Sequence, residues 1–538
     1  MKFSLEEILE ATGAKILKNE AEKDDEFTFS TDTRTIKEGE IYLPLKGESF
    51  DGEKFVDKAL EAGAVGFFIT KEKGKREKQK EKSIEELQTL STITPLIPIP
   101  SPARGDGSSP STLQPFNLST FQPKLVLQVE NTLTAYLQLA NFYRKKINPI
   151  TVAITGSSGK TTTKEMAYRV AQEKFKTHKS ELNFNNEIGL CKTILSMPKD
   201  TEILILEMGM RGLGEIELLS KYSEPDIAII ANVGTAHIGR LGSKENIAKA
   251  KCEIVKYMKE NGILIAHEDD LIKKEIIKNY PPPQPSPLSL APAELRRQGY
   301  SPRTSAVPFV KGGGSSSQTI QPFNTSTFQP IYFSLDKVNI LNRKIGYSKF
   351  EYKNHEYELN IEGDYNIQNS LAAIEMGLKL GMKESEIASG LKKYSPIEKR
   401  WEIQEVGGFK IINDSYNANP DSMQAAIKTV LDVYAPPLLL VLGDMGELGE
   451  NEVDYHKQIG KFLIKNIKQN VNVITVGKLA NEITKVLDKN GIFSENFENN
   501  LQTSLYILDN VKIGTTIVLK ASRSMKFEEI IERVNGKQ

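Results

Sequence analysis

PITVAITGSSGKTTT, residues 149–163, joins a short apolar run to a glycine-rich turn, a lysine and three threonines. The β-branched run 150–155 predicts a buried strand, and a helical pattern follows from 163 to about 174. A glycine turn between strand and helix lets backbone N–H groups surround a phosphate, and the helix N-terminus adds partial positive charge. The stretch therefore predicts an ATP site formed by Gly156, Ser157, Ser158, Gly159, Lys160, Thr161 and Thr162.

Two residues of this turn have the chemistry that a nucleotide site requires. Lys160 can reach the outer phosphates, and Thr161 can place its hydroxyl on Mg²⁺. The spacing G-x-x-G-K-T is shorter than the usual G-x-x-x-x-G-K-[ST]. A tight turn with a lysine of no function is the alternative, and the flanking strand and helix favour the nucleotide site.

Composition bounds the kind of protein. A chain of 538 residues predicts about three domains, and 70 basic against 70 acidic residues argue against nucleic-acid binding or attraction to a membrane surface. The N-terminus lacks the features of a signal peptide, and no apolar run reaches the roughly 18–20 residues of a membrane span. Cys191 and Cys252 are too few for a disulfide scaffold and are expected to be buried. We therefore expect a soluble, cytoplasmic protein.

Alternating strand and helix patterns predict an α/β fold. We expect an N-terminal α/β domain at 1–128, a central domain with a mostly parallel sheet at 129–396 and a smaller doubly wound, Rossmann-like domain at 397–538. The strands expected in the second and third domains are 150–155, 202–207, 227–232, 263–266, 409–413, 438–442, 473–476 and 516–519.

Two segments, 95–123 and 281–330, are rich in proline and serine and have no apolar periodicity. They share a repeat, TLQPFNLSTFQP at 112–123 and TIQPFNTSTFQP at 319–330. We interpret both as low-complexity inserts in an existing fold, because long surface insertions cost little free energy. A short partner-binding motif is the alternative.

Two polar residues follow neighbouring strands. Glu207 ends the strand expected at 202–207, and an acid at the carboxyl end of a strand near a phosphate loop is a suitable magnesium ligand. His237 follows the next strand, where it is either a ligand or a loop histidine with a local partner.

Lys251 occupies an unusual place in a predicted helix at 243–260. At 100° per residue it lies within about 60° of the apolar residues Ile247, Ile254, Val255 and Met258. Burial favours the neutral amine of an inward lysine. A side chain that extends to solvent, or a buried ion pair, is the alternative.

Three further features come later in the chain. Asn366 and Asn369 lie three residues apart at the start of a helix, and their side-chain amides carry both the donor and the acceptor that an adenine edge needs. The alternative is that Asn366 is only the N-cap of this helix. Arg400, at the junction with the third domain, can reach a phosphate or pair with an acid. The sequence DSYNANP at 414–420 follows a strand where a ligand crevice is expected.

Together these features resemble the Mur ligase family of peptidoglycan synthesis. The resemblance implies a catalytic set of Lys160, Glu207, His237 and Lys251, the last carbamylated. It implies Mg²⁺ bound through Thr161, Glu207, His237 and the modified Lys251. It also implies that Asn366 and Asn369 hold adenine and that Arg400 and Asp414 contact ATP.

Within the family, the motifs at 417–420 (NANP), 443–449 (GDMGELG) and 522–525 (SRSM) resemble the members that add D-Ala-D-Ala to a UDP-MurNAc-tripeptide. Residues 31–34 and 46–52 resemble the family's uridine-nucleotide-binding segments, and residues 183–189 match a further segment of the family. The implied substrate residues are Thr31, Asp32, Thr33, Arg34, Lys46, Gly47, Phe50, Asp51, Gly52, Asn185, Asn186, Tyr416, Asn417, Asn419 and Arg523.

The resemblance implies an ATP-dependent, ADP-forming amide ligase that acts as a monomer through an acyl phosphate, with the third domain closing over the second. Two alternatives remain. One is a ligase with another amine substrate, such as a sibling Mur ligase or a folylpolyglutamate synthase. The other is a nucleotide-binding module of the P-loop class that catalyses no ligation.

Overall fold

The computed structural model describes residues 1–47, 50–71, 123–181, 183–280, 328–397 and 399–536. The chain forms two compact units: Met1–Lys146 with Ile194–Ser196, and Ile147–Thr193 with Met197–Gln538. Most of both predicted inserts, including nearly all of the repeat, lies outside the described residues. Among the described helices, none is both long enough and apolar enough to span a bilayer.

The first unit is built around a five-stranded sheet. Its helices α1 to α3 are Leu5–Thr12, Val56–Glu61 and Thr132–Ile147. Its strands β1 to β7 are Phe3–Ser4, Lys15–Asn19, Glu26–Phe27, Phe29–Ser30, Ile41–Tyr42, Gly66–Thr70 and Leu125–Val129. The strand order is β2-β7-β6-β5-β4, parallel except for the β2–β7 pair, and β1 pairs with β3. Helix α2 covers the sheet through Val56, Ala59 and Leu60.

The second unit begins with a six-stranded parallel sheet. Its strands β8 to β13 are Ile150–Thr155, Thr177–Lys179, Ile203–Glu207, Ile227–Ile230, Ile263–His267 and Gln329–Phe333. Helices α4 to α9 are Lys160–Ala171, Glu187–Leu195, Glu215–Ser223, Ile238–Leu241, Lys244–Cys252 and Asp270–Asn279. The order β13-β12-β11-β8-β10-β9 places β8 inside the sheet. All residues of β10 and β11 are buried, as in a parallel sheet covered on both faces.

A small antiparallel sheet and two helices follow. Strands β14 to β16 are Val338–Lys344, Tyr347–Tyr352 and His355–Leu359, and helices α10 and α11 are Asp364–Lys379 and Glu384–Lys392. The three strands form a meander in the order β14-β15-β16. This meander was not among the predicted elements.

A second six-stranded sheet completes the unit. Strands β17 to β22 are Glu402–Val406, Phe409–Asn413, Leu438–Gly443, Val471–Val476, Ser494–Phe497 and Thr516–Lys520. Helices α12 to α16 are Pro420–Val433, Glu452–Asn466, Asn481–Asp488, Asn500–Asn510 and Glu528–Val534. The order is β17-β18-β22-β19-β20-β21, and only the β17–β18 pair is antiparallel.

The fold class is as predicted, and the strand at Ile150–Thr155 has the predicted bounds. Helix α4 begins at Lys160, three residues earlier than predicted, because Gly159 adopts φ +76° and turns the chain directly into the helix. Helix α8 ends at Cys252 and continues only as the 3₁₀ turn Glu253–Val255, so the predicted helix at 243–260 is too long. The insert predicted at 281–330 runs two residues into β13. The domain boundaries at 128 and 396 stay predictions.

A buried carboxylate connects the two halves of the second unit. Glu362, after β16, accepts hydrogen bonds from Trp401 Nε1 (2.8 Å), from the Gly346 amide (2.9 Å) and from the Tyr434 hydroxyl. Glu362 is fully buried and Trp401 is 1% exposed. These bonds fix the segment that enters the second sheet to the end of the antiparallel meander.

Candidate active site

The glycine turn at 156–159 is braced by the neighbouring strand. The amides of Ser157 and Ser158 donate to Asn232 Oδ1 (3.1 and 3.0 Å), and Asn232 Nδ2 donates to the Ser158 carbonyl (2.9 Å). The Gly234 amide donates to Ser157 Oγ (2.8 Å). Sequence reasoning gave Asn232 no role. The available signal was a polar residue directly after an apolar strand.

Lys160 lies where several charged groups converge. Its Nζ donates to the Gly156 carbonyl (2.8 Å), so the side chain folds back over the turn. Burial lowers the pKa of Lys160, Arg400 lowers it further, and the carboxylates of Glu207 and Glu447 oppose the shift. The structure therefore brings two other predicted site residues, Glu207 and Arg400, within electrostatic reach of Lys160. Thr161 and Thr162 are buried in the first turn of α4.

Glu207 ends β10 as a buried acid with one unsatisfied oxygen. Its Oε1 accepts from Asn185 Nδ2 (3.2 Å), whereas Oε2 has no hydrogen bond within the described ranges and lies 3.6 Å from Lys164 Nζ. Lys164 is fully buried and also lies 3.4 Å from Glu165 Oε1. Sequence reasoning missed Lys164, although it lies one helical turn after Lys160.

Lys251 is buried, as its helical face predicted. Ile247, Ile254, Val255 and Met258 are also buried. Burial lowers the pKa of Lys251 well below its usual value, and the charge of Lys160 lowers it further. In the described part of the chain, no hydrogen bond or ion pair reaches its amine.

Glu253 is buried although it does not share the face of Lys251. At 100° per residue it falls opposite Lys251, a side expected to face solvent, yet it is only 7% exposed. The start of α6 covers this side, because the Glu253 carboxylate accepts from the Gly214 amide (2.8 and 3.0 Å).

His237 contacts the loop 443–449 that follows β19. Its Nδ1 lies 2.5 Å from Glu447 Oε2, although the angles fall short of a well-formed hydrogen bond. The Gly239 amide donates to the Glu447 carbonyl (3.1 Å). Interaction with His237 lowers the pKa of the Glu447 carboxyl. A residue of the first sheet's loops is thus paired with a residue of the second sheet's loops.

Asp421 makes a second connection between these loops. Its Oδ2 accepts from both the amide and the hydroxyl of Thr235, each at 2.6 Å. A Cβ at Gly234 would lie 2.6 Å from the same oxygen, so the Asp421 carboxylate packs closely against the backbone of Gly234. Sequence reasoning missed Asp421 because the pairing joins residues far apart in the chain.

The two asparagines lie on α10, as predicted. Asn369 packs against the glycine turn so closely that a Cβ at Gly159 would lie 2.3 Å from its Oδ1. Its Nδ2 is buried and has no hydrogen bond in the part of the chain that the structure describes. Asn366 Nδ2 donates to the Glu362 carbonyl (2.6 Å). Gly363 is the N-cap of α10, so the N-cap alternative for Asn366 is wrong.

Arg400 and Asp414 have different partners. The Arg400 guanidinium lies over the Tyr416 ring at 3.9 Å, and its buried Nε has no hydrogen bond to any described residue. Asp414 Oδ2 lies 2.7 Å from Lys520 Nζ, which also donates to the Asn417 carbonyl (2.9 Å).

Several residues predicted to bind substrate have local structural contacts. Asn186 Oδ1 accepts from the Gly189 amide (2.9 Å), and Asn419 caps α12 by accepting from the Ser422 amide (2.9 Å). The remaining contacts in this group are Asn417 Oδ1 with the Ala418 amide (2.9 Å) and Arg523 with Glu528 (2.7 Å).

In the first unit, the two predicted uridine segments meet at Tyr42. Burial, followed by the charges of Asp32 and Asp51, raises the pKa of Tyr42 to about 12, and its hydroxyl donates to the Gly52 carbonyl (3.0 Å). The other contacts here are Arg34 with Asp32 (2.6 Å), Lys46 with Asp51 (3.7 Å), the Gly47 amide with the Phe50 carbonyl (2.7 Å) and the stacked rings of Phe50 and Phe55.

Phe50 is 53% exposed, and Thr31 and Thr33 are partly buried. These residues therefore leave an aromatic ring and polar groups accessible on the first unit.

The predicted magnesium ligands fit a divalent cation in their chemistry. Among the described residues no group of three or more His, Cys, Asp and Glu side chains could hold a metal. The predicted set instead uses the Thr161 hydroxyl, Glu207, His237 and a modified lysine. Glu207 Oε2 is buried without a hydrogen bond, and the Lys251 amine has no ion pair among the described residues. Oε2 of Glu207 also lies 3.6 Å from Lys164 Nζ, so a bound cation would share this carboxylate with Lys164, whereas the Lys251 amine has no such competitor among the described residues.

Strand β8, the glycine turn and helix α4 define a P-loop nucleotide-binding protein. The family model of the Mur ligase middle domain matches residues 154–291, and that of the Mur ligase glutamate ligase domain matches residues 399–523. A UDP-N-acetylmuramoyl-tripeptide–D-alanyl-D-alanine ligase of Bacillus subtilis is 32% identical over 510 residues, covering 94% of this chain and 92% of the relative. The chain belongs to the Mur ligase family.

Other relatives and solved structures agree. A ligase of the same name from Synechocystis is 27% identical, covering 94% of this chain and 91% of the relative. The fold matches a crystal structure of MurF from Acinetobacter baumannii, with a TM-score of 0.74, 22% identity and coverage of 100% and 99%. It also matches MurF ligase from Thermotoga maritima in complex with ADP, with a TM-score of 0.68, 23% identity and coverage of 95% and 97%.

Proposed function

We propose that this chain joins D-Ala-D-Ala to UDP-MurNAc-tripeptide in peptidoglycan synthesis, with ATP converted to ADP and phosphate. The tripeptide's terminal carboxylate attacks the γ-phosphorus, the bond to the β-phosphate oxygen breaks, and an acyl phosphate forms. The dipeptide amine then attacks the acyl carbon, phosphate leaves and the nitrogen loses a proton. The similarity to the Bacillus subtilis ligase over 94% of this chain supports this choice of substrates.

One observation carries the proposal for the chemistry. Lys251 is buried, has no ion pair within the described residues, and lies within electrostatic reach of Lys160 at the glycine turn. A buried amine without a counter-ion is expected to be neutral, and a neutral amine can react with CO₂ to form a carbamate. A simple nucleotide-binding module has no need of such a lysine.

The surrounding residues have distinct roles in this proposal. The glycine turn at 156–159 and Lys160 bind and orient the phosphates, and Asn366 and Asn369 hold the adenine. Arg400 and Asp414 approach the nucleotide from the second sheet. Thr161, Glu207, His237 and carbamylated Lys251 would hold Mg²⁺, which when bound offsets the negative charge shared by carboxylate and phosphate.

The residues of the first unit bind the uridine part of the substrate in this proposal. Asn185, Asn186, Tyr416, Asn417, Asn419 and Arg523 would contact the peptide parts; because Asn186 and Asn419 cap helices, we expect them to act mainly by shaping the site. Every proposed site residue comes from one chain, so a monomer is sufficient. We propose that the reaction takes place in the cytoplasm, where ATP is available.

The test is an ATPase assay with purified protein and UDP-MurNAc-tripeptide, with and without D-Ala-D-Ala, in which the product is identified by mass. We expect phosphate release and the pentapeptide product only when the dipeptide is present. Release of phosphate that ignores the dipeptide, with no new peptide, would favour the non-ligating module. Product with another amine, from a panel including glutamate and diamino acids, would favour a sibling ligase.

A further inference from the structure

The loop 443–449 is rigidly held by its own half of the second unit. Asp444 Oδ1 accepts from the Ala480 amide (2.7 Å), and its carbonyl accepts from the Ser522 amide (3.0 Å). The buried His456 accepts from the Met445 amide through Nε2 (3.0 Å) and contacts the Glu452 carbonyl through Nδ1 (2.7 Å). Three contacts thus fix the first residues of the loop before it reaches Glu447.

The end of this loop fits against the helix that follows His237. A Cβ at Gly239 would lie 2.3 Å from the Gly449 nitrogen, and a Cβ at Gly449 would lie 2.6 Å from the Gly239 Cα. Glu447 itself adopts φ +61°. This close backbone contact holds the Glu447 carboxylate beside His237 Nδ1.

The contact occupies only one nitrogen of the imidazole. With Nδ1 beside the carboxylate at 2.5 Å, Nε2 has no hydrogen bond among the described residues. A carboxylate at one ring nitrogen keeps the proton there and presents the lone pair of the other nitrogen to a metal. Glu447 also lies within electrostatic reach of Lys160, so this arrangement lies beside the phosphate site.

We propose that Glu447 is a positioning residue that orients His237 for Mg²⁺, so that this ligand is correctly set only when the two halves of the second unit are in contact. This inference rests on the proposed function, because it adds a supporting residue to that site. The carboxylate comes from the second sheet and the histidine from the first. The metal site would therefore be completed by docking of the loop.

The test compares Glu447→Gln with Glu450→Gln, a matched change at an exposed acid of the same region without a partner among the described residues. Glutamine keeps the shape of Glu447 and removes its charge. The chain has five histidines, so ¹⁵N-histidine labelling gives few signals, and His237→Gln identifies the one that belongs to His237. At pH 8.5 neutral imidazoles report their tautomer directly.

We expect His237 to carry its proton on Nδ1 in the unmodified protein and in Glu450→Gln, and to show mixed tautomers in Glu447→Gln. We also expect Glu447→Gln to raise the Mg²⁺ concentration for half-maximal ligation about 10-fold, with an unchanged KM for D-Ala-D-Ala. Glu447→Asp, which keeps the charge, should recover part of the Mg²⁺ response. Thermal unfolding shows whether each variant is folded.

The proposal is overturned if folded Glu447→Gln shows the same His237 tautomer and the same Mg²⁺ dependence of ligation as the unmodified protein. It is also overturned if only one of these two properties changes. The tautomer measurement needs no substrate. If the unmodified protein forms no peptide product, the proposed function fails, while the tautomer still decides whether Glu447 orients His237.

Discussion

The glycine turn after β8 and the loop 443–449 after β19 both leave the carboxyl edge of an inner parallel strand, yet they differ in charge and in support. The glycine turn presents the amine of Lys160, and Asn232, which follows the neighbouring strand, accepts from the Ser157 and Ser158 amides. The loop presents the carboxylate of Glu447 and is fixed by its own sheet. The position of each loop therefore follows from similar strand topology. The side chains of the loop decide whether it can bind a phosphate or pair with a histidine.

The largest expected effect comes from removing the cation of the glycine turn. Lys160→Met should lower ligation by at least about 10³-fold, because it removes the cation that folds back over the turn. Product mass and phosphate release measure this loss, and thermal unfolding checks the fold. If Lys160→Met still joins the two peptides at a normal rate, the phosphate role of the turn is wrong.

Lys251→Ala should lower ligation by at least about 10²-fold, and added bicarbonate should not restore it, because no amine remains to be carbamylated. Lys249→Ala is the matched control, since Lys249 is exposed on the same helix. Intact-protein mass spectrometry can look for the carbamate. Unchanged turnover in Lys251→Ala would reject the carbamate.

Gly239→Ala tests whether the two loops must touch. Its Cβ would lie 2.3 Å from the Gly449 nitrogen, so the loop 443–449 must move away. We expect about a 10-fold loss of ligation in steady-state kinetics with the protein still folded. Gly212→Ala, where the nearest atom is 3.9 Å away, should behave like the unmodified protein. Equal rates in both variants would show that contact between the loops is unnecessary.

The smallest effect concerns the support of the loop. His456→Gln keeps an acceptor for the Met445 amide and should lower the free energy of unfolding at pH 7.5 by about 1 kcal/mol. Burial lowers the pKa of His456 below its ordinary 6.5, although the Glu452 carbonyl and the charges of Asp444, Glu452 and Glu482 oppose this.

As pH falls below 6.5, the unfolded chain therefore binds a proton at this site before the folded one does, and stability is lost. The difference between the unmodified protein and His456→Gln should shrink between pH 7.5 and pH 5.5 in urea denaturation. A difference that grows toward acid would contradict the burial argument.

The sequence was sufficient for local features. The apolar run 150–155 specifies a buried strand, and the inward position of Lys251 follows from helical periodicity. The early start of α4 depends on the left-handed conformation of Gly159, which the glycine permits but does not require. Glu253 is buried because its carboxylate binds the Gly214 amide at the start of α6, a tertiary contact that a fixed 100° step does not predict.

Contacts between the two sheets were beyond the reach of the sequence. Thr235 and Asp421, or His237 and Glu447, are brought together by packing of whole elements. No local pattern in either segment names its partner. Asn232 and Lys164 are intermediate in how far the sequence can predict them. The position of Asn232 near the glycine turn follows from strand order, and that of Lys164 follows from helical spacing.

The chain has a single tryptophan, and the indole of Trp401 donates to the buried Glu362 at the entrance to the second sheet. Excitation at wavelengths that the 18 tyrosines do not absorb therefore yields an emission spectrum from one known place in the molecule. Any rearrangement there that admits water would shift this emission to longer wavelength. The native chain thus carries its own optical probe for following nucleotide titrations, without an attached dye.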